Sequence, residues 1–264
     1  MDLQLSNRTA LVTGSTAGIG LAIAEGLARE GATVYINGRT QRRVDDAIKH
    51  ITTIVPNAKV NGIAADLSTA AGAEKLFTAL PAVDVLINNM GTYQIKPFPE
   101  ITDVDWLNLF ETNVMSGVRA SRHYLPAMLK KHWGRIIFIS SESGQQIPVE
   151  MIHYGMTKTA QLAVARGLAE TTAGTGVTVN SILPGPTKSE GVEGFVKDMA
   201  AAQGVSEAIV EKGFFKTARP SSLIKRFATP DEVAHLVVYV AGEPSSATNG
   251  AALRVDGGVV RSIL

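Results

Sequence analysis

The N-terminal part of the chain contains a short apolar segment, a glycine-rich turn and an amphipathic segment in direct succession. Thr9-Ala-Leu-Val-Thr13 is followed by Gly14-Ser-Thr-Ala-Gly18-Ile-Gly20, and apolar residues then recur at helical spacing from Leu21 to Ala28. A buried parallel strand of this kind needs a crossover helix after it. This feature therefore predicts the first βα unit of a parallel α/β sheet.

The same glycine turn predicts a site for a phosphate group. In such a unit the backbone N–H groups at the helix N-terminus hold a pyrophosphate, and glycines let the backbone approach it without a Cβ in the way. The spacing is G-x-x-x-G-x-G, which departs from the stricter G-x-G-x-x-G pattern. Taken alone, the turn is also compatible with a plain tight connection, whereas its place after an N-terminal strand favours nucleotide binding.

The end of the second predicted strand bears on which dinucleotide is bound. The strand covers 33–37, Gly38 occupies the position where an acidic residue would contact the ribose 2′-hydroxyl, and Arg39 follows. An arginine at this place accommodates a 2′-phosphate. NADP(H) is therefore favoured, although NAD(H) remains possible because Ala17 offers no second basic group and Arg39 can equally lie on a solvated face.

Strands and helices alternate through most of the remaining chain. The predicted segments are a helix over 41–55, a strand over 60–65, a helix over 70–80, a strand over 83–87, two helices within 101–129, a strand over 134–139, a helix over 151–173 and a strand over 176–182. Asp103 is a candidate N-cap for the first of the two helices within 101–129. This alternation predicts a doubly wound, mostly parallel sheet with helices on both faces. There is no internal repeat or linker, so residues 1–264 are predicted to form one domain.

Polar residues follow several of these strands. Asp66 is compatible with an adenine contact and with a helix N-cap, and both interpretations stay open. Asn88-Asn-Met-Gly91 suits either strand-end bracing or close approach to a cofactor, and Ser140-Ser141 ends the fifth strand. The carboxyl ends of parallel strands are where α/β folds bind ligands. Asn113 lies within a helix in an apolar setting, so we expect it to face inward and to be hydrogen-bonded.

Tyr154 and Lys158 are four residues apart on one predicted helix and so share a face. A tyrosine titrates near ~10, and lowering that pKa to about 7 needs roughly 4 kcal/mol of differential stabilisation. An adjacent ammonium and a cationic ring are a plausible source of that stabilisation. Ser141 would then hold a carbonyl oxygen while Tyr154 exchanges its proton. By itself this spacing also fits an ordinary amphipathic helix.

Taken together, the glycine turn, Asn88-Asn-Met-Gly91, Asn113, Ser141 and Tyr154-x-x-x-Lys158 resemble the short-chain dehydrogenase/reductase family. The resemblance runs from Thr9 nearly to the C-terminus and implies a Rossmann-type sheet of about seven strands. The residues then expected to bind the cofactor are Gly14, Ser15, Thr16, Gly18, Ile19, Gly20, Asn37, Arg39, Asp66, Leu67, Asn89, Gly91, Tyr154, Lys158, Pro184, Gly185 and Thr187.

The resemblance also implies catalytic roles. Ser141 and Tyr154 would act on the substrate, and Lys158 would tune Tyr154 and hold the nicotinamide ribose. Asn113 would hold a water in a proton relay that reaches solvent through Lys158. Residues 254–258 look like the family's closing strand, which implies a homotetramer or a dimer. Two departures are Met90, which is expected to reshape the nicotinamide pocket, and Gly155, where a larger residue often stands.

The expected activity is NADP(H)-dependent interconversion of a carbonyl and a secondary alcohol on a small or medium apolar substrate. A 3-oxoacyl-thioester reductase and a non-catalytic dinucleotide-binding protein are the alternatives. Substrate choice is assigned to an insertion over about 188–228, which offers apolar and basic side chains (Phe195, Met199, Phe214, Phe215, Leu223, Lys216, Arg219, Lys225, Arg226). These aromatics are equally compatible with packing inside the insertion. Three further residues are candidates to face substrate: Glu142, Glu150 and His153.

Composition excludes several other classes of function. The net charge is +1, so overall charge predicts no nucleic-acid partner. Cysteine is absent, which excludes disulfides and thiolate metal sites, and no metal is expected. The first residues lack the basic and apolar regions of a secretory signal, and no apolar run approaches the ~20 residues that span a bilayer. A cytoplasmic protein without a membrane partner is therefore expected.

Overall fold

The computed structural model describes residues 1–263, and of Phe195 it describes only the backbone. The strands are β1 Thr9–Val12, β2 Thr33–Gly38, β3 Lys59–Ala64, β4 Val85–Asn88, β5 Gly134–Ile139, β6 Val177–Pro184 and β7 Ala252–Val255. They form one sheet in the order β3-β2-β1-β4-β5-β6-β7, and every neighbouring pair is parallel. The predicted doubly wound parallel sheet is therefore confirmed.

Helices cover both faces of this sheet. They are α1 Gly18–Arg29, α2 Gln41–Ile54, α3 Ala70–Ala79, α4 Asp103–Phe110, α5 Ser116–Lys131, α6 Ile152–Thr171, α7 Glu190–Gln203, α8 Glu207–Thr217 and α9 Pro230–Ala241. Short 3₁₀ turns lie at Phe98–Glu100, Glu142–Gly144, Val149–Met151 and Glu243–Ser245. One apolar cluster packs α1, α2 and α9 on one face, and a second packs α3, α5 and α6 on the other. Burial on both faces explains why the last four residues of β5, Ile136 to Ile139, are a continuous apolar run and do not alternate.

The strand order reverses beside β1, which pairs with β2 on one side and β4 on the other. At such a switch point the loops leaving neighbouring strands diverge to opposite faces and open a crevice at their carboxyl ends. The glycine turn follows β1 and Asn89 follows β4. Ser141 lies two residues after the end of the adjacent β5. The topology therefore brings the predicted residues to one edge of the sheet.

The segment predicted as two helices within 101–129 is a continuous run in which a π-helical turn, Glu111–Met115, joins α4 to α5. Its first helix begins with a capping box, in which Thr102 accepts a hydrogen bond from the backbone N–H of Asp105. The cap is thus Thr102 and not Asp103. Similarly, Thr69 caps α3, so Asp66 does not fill that role.

The insertion over 188–228 has a small apolar core of its own, formed by Val196, Ala200, Val210, Phe215 and Phe227. Phe215 therefore packs inside the insertion, as the alternative interpretation held, and Leu223 is exposed. The Phe195 side chain lies outside the described residues. None of the helices in the described part of the chain is long and apolar enough to cross a membrane.

Candidate active site

A cavity of about 360 Å³ opens at the carboxyl ends of β1, β4, β5 and β6. Of the residues predicted from the sequence, it is lined by Ile19, Asn89, Gly91, Ser141, Tyr154, Lys158, Pro184, Gly185 and Thr187. These residues come from five separate stretches of the chain, so the fold brings together a site that no single motif contains.

The glycine turn has the geometry of a phosphate cradle. Gly14 and Gly18 have φ values of +59° and +56°, a conformation that favours glycine. A Cβ on Gly20 would lie 2.4 Å from Asn89 Nδ2 and 2.7 Å from the Gly14 carbonyl oxygen. No side chain caps α1 at Ala17, so its first N–H groups are available to a ligand. These features fit a dinucleotide pyrophosphate.

Asn89 holds this turn in place. Its Nδ2 donates to the carbonyl oxygens of Thr13 (2.9 Å) and Gly14 (3.0 Å). Its backbone N–H donates to Thr13 Oγ1 at 3.0 Å. Both earlier interpretations of the Asn88–Gly91 segment therefore apply to Asn89, because it braces the strand ends and also lines the cavity.

Two predicted cofactor residues have side chains that are turned inward. Asn37 Nδ2 donates to the carbonyl oxygens of Ile63 and Ala65, each at 3.1 Å, and its Oδ1 accepts from Gly14 N–H at 3.3 Å. Ser15 is fully buried, and its hydroxyl donates to the carbonyl oxygen of Val12 at 2.6 Å. These side chains shape the cradle and are not directed at a ligand.

The end of β2 preserves the pattern that favoured a 2′-phosphate. A Cβ on Gly38 would lie 2.4 Å from Thr16 Cγ2, so this position is packed for glycine and excludes an acidic side chain as the loop stands. Arg39 is exposed and forms no ion pair with any described residue. Asp66 Oδ1 accepts from the backbone and hydroxyl of Ser68, and Leu67 is buried in the core.

Tyr154 and Lys158 lie on one face of α6, as their spacing predicted. Lys158 Nζ lies 5.6 Å from the centre of the Tyr154 ring and donates to the Ile139 carbonyl oxygen at 2.9 Å. Burial lowers the pKa of Lys158 to about 8, and the nearby Glu142 carboxylate opposes that shift. The ammonium therefore persists at neutral pH, and it loses its proton more readily than an exposed lysine.

The pKa of Tyr154 differs in direction from the sequence-based expectation. Burial raises it above the ordinary value of 10.0, and the Glu142 carboxylate raises it further. The nearby Ser141 hydroxyl and the Arg219 guanidinium lower this pKa and oppose these effects only in part. The protein's own side chains thus keep Tyr154 as a neutral phenol, because the negative charge of Glu142 and the loss of water contact outweigh the positive neighbours.

Asn113 is fully buried in the π-helical turn, and the expectation of an inward, hydrogen-bonded asparagine is confirmed. Its Oδ1 accepts from Thr92 N–H at 2.8 Å, and its Nδ2 donates to the Thr92 carbonyl oxygen (2.8 Å) and to Thr157 Oγ1 (3.0 Å). Single π turns recur at functional sites because they alter the local backbone hydrogen bonding. Here the turn links Asn113 to the loop that carries Gly91.

Gln161 is a site residue that the sequence analysis missed. Its Oε1 accepts from Lys158 Nζ at 3.1 Å, and its Nε2 donates to the Asn113 carbonyl oxygen at 2.6 Å. Gln161 therefore links the Lys158 ammonium directly to the backbone of Asn113. Its position three residues after Lys158 on the same helix is the signal that could have identified it.

A buried charged cluster forms one wall of the cavity. Ser141 Oγ lies 2.5 Å from Glu142 Oε2, and Arg219 Nε donates to Glu142 Oε1 at 3.1 Å. Arg219 Nη1 also donates to Glu150 Oε1 at 3.2 Å. Glu142, Glu150 and Arg219 all line the cavity, whereas the other basic candidates of the insertion (Lys216, Lys225 and Arg226) are not among its lining residues.

Other candidate positions lie away from the cavity. His153 is fully buried with its ring against Trp106, and it is not among the lining residues. Met90 packs against the apolar core and is not among the lining residues of the cavity. A Cβ on Gly155 would lie 2.7 Å from Ile147 Cγ2, which explains the small residue there. Among the described residues no acidic or histidine cluster could hold a metal ion.

The sequence profile of the family described as short chain dehydrogenase matches residues 8–200. The uncharacterized oxidoreductase YvaG of Bacillus subtilis is 47% identical over 263 residues, and the alignment covers 100% of both chains. The 3-oxoacyl-(acyl-carrier-protein) reductase FabG of Aquifex aeolicus is 32% identical over 263 residues, covering 98% of this chain and 100% of FabG. The crystal structure of L-sorbose reductase from Gluconobacter frateurii, complexed with NADPH and L-sorbose, superposes with a TM-score of 0.93 at 30% identity and covers 100% of both chains.

Proposed function

The chain belongs to the short-chain dehydrogenase family and is an oxidoreductase acting on CH–OH and C=O groups, and we propose that Tyr154 is its acid–base residue and NADP(H) its preferred cofactor. The observation that carries the proposal is the convergence of Ser141, Tyr154 and Lys158 on one cavity beside the glycine cradle. The alternative of a non-catalytic dinucleotide-binding protein is set aside, because relatives over the full length are oxidoreductases and this set of side chains is intact.

When bound, the nicotinamide supplies the hydride that the carbonyl carbon accepts. Tyr154 gives its hydroxyl proton to the carbonyl oxygen, so that the ketone becomes a secondary alcohol. A neutral Tyr154, which its raised pKa ensures, is the form that this direction needs. Lys158, as an ammonium, then stabilises the phenolate that Tyr154 becomes. The raised pKa of Tyr154 thus supports carbonyl reduction as the working direction.

The preference for NADP(H) rests on the end of β2. Gly38 leaves no carboxylate to bond a ribose 2′-hydroxyl or to repel a phosphate, and Arg39 supplies an exposed positive charge beside it. The complex of the L-sorbose reductase relative with NADPH agrees with this preference. We assign the remaining cradle residues, Gly14 to Gly20 with Asn89 and Gly91, to the pyrophosphate and the adjoining ribose.

A homotetramer or a dimer, located in the cytoplasm, completes the proposal. Its support is the exposed apolar surface of α4, where Val104 and Leu107 are 63% and 65% exposed. Burial of such side chains between subunits is a common cause of assembly. Light scattering should give a mass of two or four times 27.9 kDa. A monomer at working concentrations would contradict this part.

The proposal is tested by titrating the protein with NADPH and NADH, and then screening carbonyl compounds with the preferred cofactor. We expect tighter binding of NADPH and oxidation of NADPH with at least one class of ketone. The panel should include an acetoacetyl thioester, because the FabG relative keeps a 3-oxoacyl-thioester reductase as the second candidate. Rapid turnover of that thioester alone would favour the second candidate, and tighter NADH binding would refute the cofactor assignment.

A further inference from the structure

The hydroxyl of Ser141 is already used within the protein. Its oxygen accepts from Ser143 N–H at 3.1 Å and lies 2.5 Å from Glu142 Oε2. Glu142 is the ion-pair partner of Arg219, so it carries a negative charge and can only accept a hydrogen bond. Ser141 is therefore the donor in this pair. Since a hydroxyl has one proton, Ser141 cannot donate to a substrate carbonyl while it bonds Glu142.

Catalysis requires that proton to be released toward the carbonyl oxygen. Glu142 is only 5% exposed, and a buried carboxylate that loses a donor is strongly destabilised. A substrate frees Ser141 without that penalty only if it brings its own donor to Glu142. The donor has to lie next to the carbonyl, because Ser141 Oγ and Glu142 Oε2 are only 2.5 Å apart.

The charges of the cluster restrict what this donor can be. Two carboxylates and one guanidinium form the cluster, and Lys158 adds a second positive charge at the same cavity. A substrate carboxylate has no proton to give to Glu142 and would face its negative charge, and an ammonium would meet Arg219. A hydroxyl satisfies both kinds of partner, because it donates to a carboxylate and accepts from a guanidinium. Arg219 Nη2 has no partner among the described residues and is available for that purpose.

We propose that the cluster of Glu142, Arg219 and Glu150 is a recognition site for a hydroxyl group on the carbon next to the reacting carbonyl. The substrate is thus an α-hydroxyketone, and the product of its reduction is a vicinal diol. The substrate hydroxyl replaces Ser141 as the donor to Glu142, and Ser141 turns its proton to the carbonyl oxygen. This inference rests on the proposed function and narrows its substrate class, which the sequence analysis expected to be apolar.

The test compares kcat/KM for three small ketones of similar size. Hydroxyacetone carries the hydroxyl, butanone replaces it with a methyl group, and pyruvate replaces the CH₂OH group with a carboxylate. We expect hydroxyacetone to exceed butanone by about tenfold or more, since a hydrogen bond to a buried charge is lost with butanone. The preference should appear in kcat as well as in KM, because the hydroxyl also releases Ser141. Pyruvate should be the poorest substrate.

Two paired variants separate recognition from general damage to the protein. Glu142→Leu combined with Arg219→Met removes both charges together, so that neither is left buried and unpaired. In this variant the ratio of kcat/KM for hydroxyacetone to kcat/KM for butanone should fall to near one. The matched control is Arg226→Met with Glu232→Gln, which removes an exposed ion pair (2.7 Å) whose members do not line the cavity. Its ratio should stay at the wild-type value.

The possible results distinguish the two levels of the proposal. Equal kcat/KM for hydroxyacetone and butanone in the wild-type protein would overturn the inference and leave the reductase assignment in place. Faster reduction of pyruvate, or an unchanged ratio in the Glu142→Leu/Arg219→Met variant, would also overturn it. Oxidation of NADPH with neither hydroxyacetone nor butanone would overturn the inference, and the reductase assignment would fail only if the whole carbonyl panel were also inactive.

Discussion

The two sides of the cavity are held together in different ways. On the cofactor side, formed by the glycine turn and the ends of β1, β2 and β4, neutral side chains such as Asn37 and Asn89 bond the backbone. On the substrate side, formed by Ser141, Glu142, Glu150, Tyr154 and Arg219, charged side chains bond one another. The cofactor side is therefore held by hydrogen bonds to the backbone, and the substrate side by ion pairs and hydrogen bonds between side chains.

This difference follows from what each side has to recognise. All dinucleotide cofactors share a pyrophosphate and two riboses, so one rigid cradle of N–H groups can bind each of them. A particular substrate is distinguished by its polar groups. An analogue that lacks one of them leaves a buried polar group of the protein without a hydrogen-bond partner. Buried ion pairs contribute little net stability, so the Glu142–Arg219 pair is better explained by specificity than by folding. The four predictions below test this division.

The largest effect is expected at the reacting atoms. Tyr154→Phe removes the proton donor and leaves the cradle untouched, so kcat should fall by about 10³-fold while NADPH affinity stays within about twofold. Stopped-flow or steady-state kinetics together with fluorescence titration of NADPH would measure both quantities. Turnover close to that of the wild type would show that another group delivers the proton, and parallel loss of NADPH binding would deny the separation of the two sides.

The next effect concerns the exposed end of the cofactor side. Arg39→Leu should weaken NADPH binding by about 10-fold or more, because a charge-assisted contact to the 2′-phosphate is lost, and should leave NADH binding unchanged. Arg29→Leu is the matched control, since it neutralises an arginine that pairs with Glu25 on α1. Equal losses of affinity for NADPH and NADH in the Arg39 variant would mean that this residue does not contact the 2′-phosphate.

A smaller effect is expected from filling the cradle. In Gly20→Ala the new methyl group meets Asn89 Nδ2 and the Gly14 carbonyl oxygen, so Asn89 must move and the binding free energy of NADPH should weaken by roughly 1 kcal/mol, or about fivefold in affinity. Gly167→Ala on α6 is the control, because no atom lies within 4 Å of its added Cβ. That change should stabilise the protein by up to about 1 kcal/mol in thermal unfolding. Undiminished NADPH binding in Gly20→Ala would contradict the cradle geometry.

The smallest effect concerns Gln161, where the two sides meet. With the pKa of Lys158 lowered to about 8, kcat/KM for ketone reduction should fall above that pH as the ammonium loses its proton. Gln161→Leu removes a hydrogen-bond acceptor of that ammonium and favours the neutral amine. The decline of kcat/KM at alkaline pH (the alkaline limb of the pH profile) should therefore move to lower pH by up to about one unit. Gln161→Glu adds a carboxylate and should move it to higher pH. Identical limbs in all three proteins would exclude Gln161 as a positioning residue for Lys158.

The contrast also explains which parts of the protein the sequence could predict. The strand over 134–139 was confirmed at Gly134–Ile139, since β5 is buried on both faces and its apolar run is local. The glycine turn, Asn113 and the Tyr154–Lys158 pair were identified because each lies within one element or directly after it. Their pattern of glycine or helical spacing is visible without knowledge of the fold.

The substrate side could not be predicted in the same way. Glu142 and Arg219 are separated by 77 positions, and no periodicity relates them. The raised pKa of Tyr154 depends on how deeply α6 is covered and on where Glu142 points, which only packing determines. The sequence analysis expected an apolar substrate and offered Arg219 only as one of several basic side chains of the insertion, whereas the structure pairs Arg219 with two carboxylates.

The most direct test of the central claim is a crystal structure of the protein with NADP⁺ and a bound ketone. We predict that the nicotinamide ring lies in the cavity, with the ketone oxygen within about 3.2 Å of both Tyr154 Oη and Ser141 Oγ. Its reactive carbon should face the carbonyl carbon. A nicotinamide ring outside the cavity, or a Tyr154 hydroxyl turned away from the ketone oxygen, would contradict the account.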